Sequence, residues 1–238
     1  MTVEALAGNG LGVVAAQGGA PPVRAAIPPL DFAVLDAASA DFAAVPTLSF
    51  TLQITTAPDQ PIRSILLFTQ LQIAARQRAY SDAVQPRLLE LFGTPERWAA
   101  TLRTLPWVTA TLVVPPFLGQ TTIELAVPCT YDLEVTAARY FAALDGGEVP
   151  LEFLFSGSLF FETEAGALQT TRIAWDREAA YRLPVSVWKA AMARHFPDSA
   201  WLRLGSASFD RLCTYKARHA FPSFDAALDA LLAGEGAP

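Results

Sequence analysis

The sequence predicts an α+β protein: an antiparallel β-sandwich or strongly curved sheet with a two-helix insert and C-terminal helices. Three observations point there. Apolar and polar residues alternate at period two through much of residues 46–183. No regular β–α–β spacing runs through that region, which disfavours a parallel sheet. Apolar residues at helical spacing then gather in residues 184–233.

Taken in order, residues 1–45 are dominated by Ala, Gly and Pro and read as a mobile segment that docks Phe32 and Phe42. A single domain is expected over 46–238, with the sheet in 46–183. "TLSFTLQIT" places Leu48, Phe50, Leu52 and Ile54 on one face, against Ser49, Thr51 and Gln53. "IRSILLFTQLQIA" follows as a less regular strand. The insert, 82–105, contains two expected helices. "SDAVQPRLLELFG" has Ser81 as a cap and Gly93 as a stop, and "TPERWAATLRTL" has Thr94 as a cap and Pro95 in its first turn. "WVTATLVV", "TTIELAV", "TYDLEVT", "LEFLFSGSLFF" and "LQTTRIAW" complete seven expected strands. Residues 185–196, 206–219 and 223–233 read as helices, the last capped by Ser223.

Composition narrows the function classes. A chain of 238 residues with 52% apolar content can build a full core without staples. Two cysteines make no disulfide framework, and no apolar run approaches the roughly 18 residues that span a bilayer. "MTVEALAGNG" has Glu4 and no early cation, unlike a secretory signal. A cytoplasmic protein without membrane insertion is expected. The net charge of −6 argues against nucleic-acid binding, which needs many Lys and Arg contacts. Charge is uneven, however. Residues 61–103 hold Arg63, Arg76, Arg78, Arg87, Arg97 and Arg103 against three acids.

"FDRLCTYKARHA" (209–220) concentrates a thiol, an imidazole, a phenol and four cationic or titratable neighbours in one predicted helix. Phe209, Leu212, Cys213, Ala217 and Ala220 share a stripe, so Cys213 is expected to pack in the core. Arg211, Tyr215 and Arg218 recur at i, i+4 and i+7, with Lys216 and His219 beside them. These five form a candidate docking surface for an acidic partner, since Arg and Tyr are enriched at interface hot spots. Gln70, Gln72, Arg76 and Arg78 form a second candidate, a polar sheet face able to read a peptide or anion.

No catalytic, cofactor or metal residues are assigned. Cys129, Cys213, His195 and His219 lack zinc spacing, and "GNGLG" lacks the strand and the Gly-Lys-Ser/Thr of a phosphate loop. The serines of "FSGSLF" and "LGSASF" do not fit a nucleophile elbow. Asp132 and Glu134 share one strand face and read as its wet side. Alternatives are a thiol- or carboxylate-dependent enzyme and a small-ligand or peptide carrier. For the enzyme, Cys129 follows Pro128 at a strand start where a side chain can be exposed, so Cys129 and Cys213 are the thiols to test.

Several segments together, including "IRSILLFTQLQIAARQRAYSD", "LFGTPERWAATLRTLPW", "GEVPLEFLFSGSLFF", "RLPVSVW", "HFPDSAWLRL" and "FDRLCTYKARHA", resemble an uncharacterised bacterial domain-of-unknown-function family encoded in NiFe-hydrogenase gene clusters. The resemblance implies an accessory role, non-enzymatic, in hydrogenase assembly, maturation or partner association. Its partner would be a hydrogenase subunit or maturation factor. The sequence has no His-rich tract or paired C-x-x-C motif, which argues against direct nickel delivery.

Overall fold

Alternating side chains give a strand two unlike faces, and two such sheets bury their apolar faces against each other. The structure is a computed structural model that describes residues 27–129, 135–163, 166–199 and 204–234. Its first antiparallel sheet contains β1 (Asp31–Ser39), β2 (Thr47–Thr55) and β6 (Gln120–Pro128), in the order β1-β2-β6. The second has β4 (Leu105–Val114), β3 (Pro61–Ile73), β7 (Glu148–Glu162) and β8 (Leu168–Arg172) in that order. The two-residue β5 (Phe117–Leu118) adds to β3, and β9 (Glu178–Pro184) adds to β7. This is the expected α+β class, a sandwich without a closed barrel.

The long β7 spans both halves of the second sheet. Glu148–Leu154 pairs with β9, while Ser158–Glu162 pairs with β8. Gly157, at φ 138°, lies between these two stretches and stays in register with Leu67 of β3. Phe50 of β2 links the layers, meeting Phe153 at 5.2 Å, Tyr181 at 6.1 Å and Trp107 at 6.4 Å, all edge to face. One end of the sandwich is closed by α3 (Val135–Ala143) and α4 (Val185–His195). There Phe141 sits 5.1 Å from Trp107 and stacks at 5.1 Å on Trp188.

Several expectations need correction. The sheet begins earlier than expected, because β1 lies inside the segment read as mobile and pairs with β2 along its length. Phe32 does dock, stacked 4.3 Å from Phe155, but Phe42 is fully exposed. The strand expected in "TYDLEVT" gives way to α3 from Val135 onward; Asp132 and Glu134 lie outside the described residues. The insert helices are single turns, α1 (Leu89–Phe92) and α2 (Trp98–Thr101), each entered through a 3₁₀ turn. Neither Ser81 nor Thr94 provides a side-chain cap to a helix start. Finally, α3 places a helix between β6 and β7, so helices are not confined to the insert and the C-terminal end.

Among the described residues, Thr69 is a polar misfit in the core. Thr69 points inward from β3, is fully buried, and its hydroxyl has no hydrogen-bond partner. A buried hydroxyl without a partner costs roughly 1–3 kcal/mol. Thr69→Val keeps the shape and removes that cost, so it is expected to stabilise the fold by about 1 kcal/mol. Urea unfolding of the two proteins measures this, and a less stable valine variant would disprove the reading.

Candidate functional site

The two C-terminal helices are α5 (Ser206–Arg218) and α6 (Phe224–Ala233). Their turn is made by His219, by Ala220 in the left-handed region (φ 56°), and by Phe221, whose N–H donates to Lys216 O at 3.1 Å. Ser223 then caps α6, its hydroxyl accepting from Ala226 N at 3.1 Å. The two helices pack on each other through Phe209 and Phe224, with ring centres 5.8 Å apart.

That packing leaves much apolar surface uncovered. α5 has no buried residue, which overturns its reading as a core helix. Cys213 is only half-buried. Phe209 is 46% exposed and Leu232 is 67% exposed, with Leu231 also open to solvent. A helix striped with apolar residues but buried nowhere is unusual in an otherwise well-filled chain.

The five residues singled out from the sequence lie on this element. Arg211, Tyr215 and Arg218 line one open groove of about 660 Å³, together with Ser208, Thr214 and Leu231. Asp210 is the only acid among the groove's described lining residues. Neither Arg211 nor Arg218 enters an ion pair among the described residues. Lys216 and His219 are placed differently. The Lys216 ammonium lies 5.5 Å from the Phe224 ring, a cation–π contact that also ties α5 to α6. His219 packs 4.6 Å from the Tyr215 ring and 5.8 Å from Phe221. The arrangement can grip a carboxylate-bearing surface through two guanidinium groups and a phenol set in an apolar patch.

The second candidate separates into parts. Gln70 is exposed and Gln72 half-buried on the outer face of β3, beside Thr109 of β4 and Glu152 of β7. Arg76 and Arg78 do not continue that face. Arg76 donates to Ala99 O at 2.9 Å, bracing the insert. Arg78 donates to Gly146 O at 2.5 Å and Glu148 O at 2.6 Å, satisfying carbonyls just past α3. Both guanidiniums serve as internal braces.

Thiols and imidazoles are not brought together. Cys129 is 4% exposed, its Sγ 3.7 Å from Val127 O, so the exposed thiol of the enzyme alternative is not there. Burial in apolar surroundings disfavours a reactive thiolate. His195 lies at the C-terminal end of α4, Nδ1 3.1 Å from Ala191 O and Nε2 3.0 Å from Ala43 O. Arg194 beside it reaches Ala40 O and Asp41. Together they fasten the β1–β2 connection to α4. Among the described residues no three metal-ligating side chains cluster, and no helix is long and apolar enough to cross a membrane.

A family model described as "Family of unknown function (DUF6084)" matches residues 27–238. No curated protein matches the sequence. Among solved structures, a putative late embryogenesis abundant (LEA) protein is 12% identical, covering 66% of this chain and 73% of that one, with a TM-score of 0.32. A β-glucosidase from Kluyveromyces marxianus is 8% identical over 65% of this chain and 15% of that chain, at a TM-score of 0.23. Spo0M, a sporulation control protein from Bacillus subtilis, is 12% identical over 65% and 48%, at 0.19.

Proposed function

The chain belongs to the DUF6084 family of unknown function, and from that premise we propose that it is a non-enzymatic accessory protein that holds an acidic partner on α5 and α6. One observation carries the reading. α5 buries none of its residues, yet it sets Arg211, Tyr215 and Arg218 around one groove beside the open side chains of Phe209, Leu231 and Leu232. Isolated solvated helices bear cations, but they do not also expose a connected apolar stripe. The partner is therefore a segment with carboxylates flanking apolar side chains. Electrostatic complementarity would set its rate of encounter and orientation, and apolar burial its lifetime. The resemblance drawn from the sequence makes a NiFe-hydrogenase subunit or maturation factor the first partner to test, in the cytoplasm.

The test is affinity capture with the tagged full chain at low and high salt, followed by Arg211→Glu and Arg218→Glu together. The double reversal is expected to weaken the complex at least about tenfold, since it replaces two attractions with two repulsions. Binding should also fall as salt rises, because exposed charges are screened within about 8 Å at physiological ionic strength. Unchanged capture by the double variant would remove this face from the proposal. Recovery of neither hydrogenase subunit nor maturation factor would remove those partners.

A further inference from the structure

We propose that the insert carries a second binding site, for a small organic carboxylate with an apolar body, between Arg97 and Arg103. The motive is a difference among the arginines of residues 61–103. Arg63 pairs with Glu162, and Arg87 pairs with Asp145 at 2.5 Å. Arg76 and Arg78 are consumed by backbone carbonyls. Arg97 and Arg103 alone in this group have side chains without a hydrogen bond or ion pair among the described residues, and both line the same cavity of about 380 Å³. The nearest acid along the chain, Glu96, is turned to Thr94, whose hydrogen bond holds that carboxyl below its usual range.

The cavity is built rather than incidental. Its floor is Leu91, Phe92 and Leu105, the last two buried in the core. Thr101 Oγ1 reaches Phe92 O at 2.5 Å and Arg97 O at 3.0 Å, so the turn bearing one arginine is bolted to the end of α1. Trp98 Nε1 donates to Gly93 O at 2.9 Å and braces the same turn from behind. Gly93 adopts φ 73°, and no atom lies within 4 Å of where its Cβ would stand, which keeps that side open. Two guanidinium groups offer paired N–H donors matched to a carboxylate. The leucine and phenylalanine floor suits an apolar body and gives nothing to a bare inorganic anion. The site is separate from α5 and does not depend on what α5 binds.

Titration of the full chain with 4-phenylbutyrate, its uncharged amide and inorganic phosphate, read by calorimetry and amide NMR shifts, tests the assignment. Saturable binding of the carboxylate is expected, with shifts centred on residues 91–105, and with the amide and phosphate each weaker by about tenfold or more. R97Q/R103Q should lose the same factor while melting at the parental temperature, because both side chains are exposed. R211E/R218E should bind as the parent does. If R97Q/R103Q melts early, R103E alone must reproduce the loss. The proposal fails if the carboxylate does not saturate, if the amide or phosphate binds equally well, or if R97Q/R103Q binds like the parent.

Discussion

Gly157→Ala is expected to abolish stable folding, costing roughly 4 kcal/mol or more, in the far tail of single-substitution effects. Position 157 falls on the inward row of β7, which runs Leu151, Phe153, Phe155, Gly157, Leu159 and Phe161. Every other member of that row is buried. A Cβ at 157 would meet Leu66 O at 2.0 Å, Leu66 C at 3.1 Å and Leu67 Cα at 3.3 Å. All three are backbone atoms of β3, so no rotamer change relieves the clash. The φ of 138° also lies where side chains are strongly disfavoured. β3 and β7 form the central pair of the larger sheet. Separating them opens the core around Leu67 and Phe155. Gly93→Ala is the control: its φ of 73° is also positive, but open space surrounds the new methyl. With ψ at −165° the backbone lies in a region nearly reserved for glycine, so that change should cost about 1–3 kcal/mol, without the added backbone clash. Urea midpoints for both variants decide the matter, and a G157A protein as stable as G93A would refute the account.

Much of this fold was legible because alternation is a strong record of a half-buried strand. β2 is the clearest case: Leu48, Phe50, Leu52 and Ile54 are all fully buried, as their spacing requires. The helices 185–196, 206–219 and 223–233 also lie where periodicity and the Ser223 cap put them, within a residue at most ends. α3 was missed because Tyr131, Leu133 and Val135 mimic a strand just where the Ala-rich helix begins. Its helical record was present in Ala137, Tyr140, Phe141 and Leu144, all buried at spacings of three and four. β1 was hidden by Ala-rich composition, since Ala33, Ala37 and Ala38 carry little strand preference. Its place is set by tertiary pairing with β2 and by Phe32 meeting Phe155.

The site was legible only in part. Helical spacing put Arg211, Tyr215 and Arg218 on one face, and all three line one groove. It could not tell that the opposite stripe of α5 stays half-open, because periodicity reports an apolar face and not what covers it. Arg76 and Arg78 looked equivalent to Arg97 and Arg103 in the sequence. Only the fold separates the pair bonded to carbonyls from the pair left facing a cavity. The excess of arginine over acid in residues 61–103 was the available sign, and it did not distinguish brace from ligand-facing side chain.

The second large effect is on alkaline stability, through Tyr140. Its ring is fully buried, its hydroxyl lies 2.7 Å from Tyr80 Oη, and Tyr80 donates onward to Ala75 O at 2.8 Å. Since the Tyr80 proton is committed to that carbonyl, Tyr140 donates to Tyr80. Burial pushes the Tyr140 phenol well above its usual range; the neighbouring Tyr80 adds to this, and the Arg78 guanidinium opposes it. Tyr80 is also raised, again chiefly by burial. Below pH 10 both folded and unfolded chains keep the Tyr140 proton, and stability is flat in this group. Above pH 10 the unfolded chain releases it while the folded chain holds it, so stability falls. The slope is about 1.4 kcal/mol per pH unit for this one proton, and it continues until the folded phenol itself ionises. Tyr140→Phe removes both the titration and the hydrogen bond. It should therefore be less stable than the parent by about 1 kcal/mol at pH 7, with a shallower decline above pH 10. The two stability curves should converge and then cross, because every other ionisable side chain is the same in both proteins. Urea unfolding between pH 7 and pH 11.5 follows that difference directly. Curves that stay parallel through the alkaline limb would mean that Tyr140 ionises as easily in the fold as out of it, and that the Tyr140–Tyr80–Ala75 chain does not hold its proton.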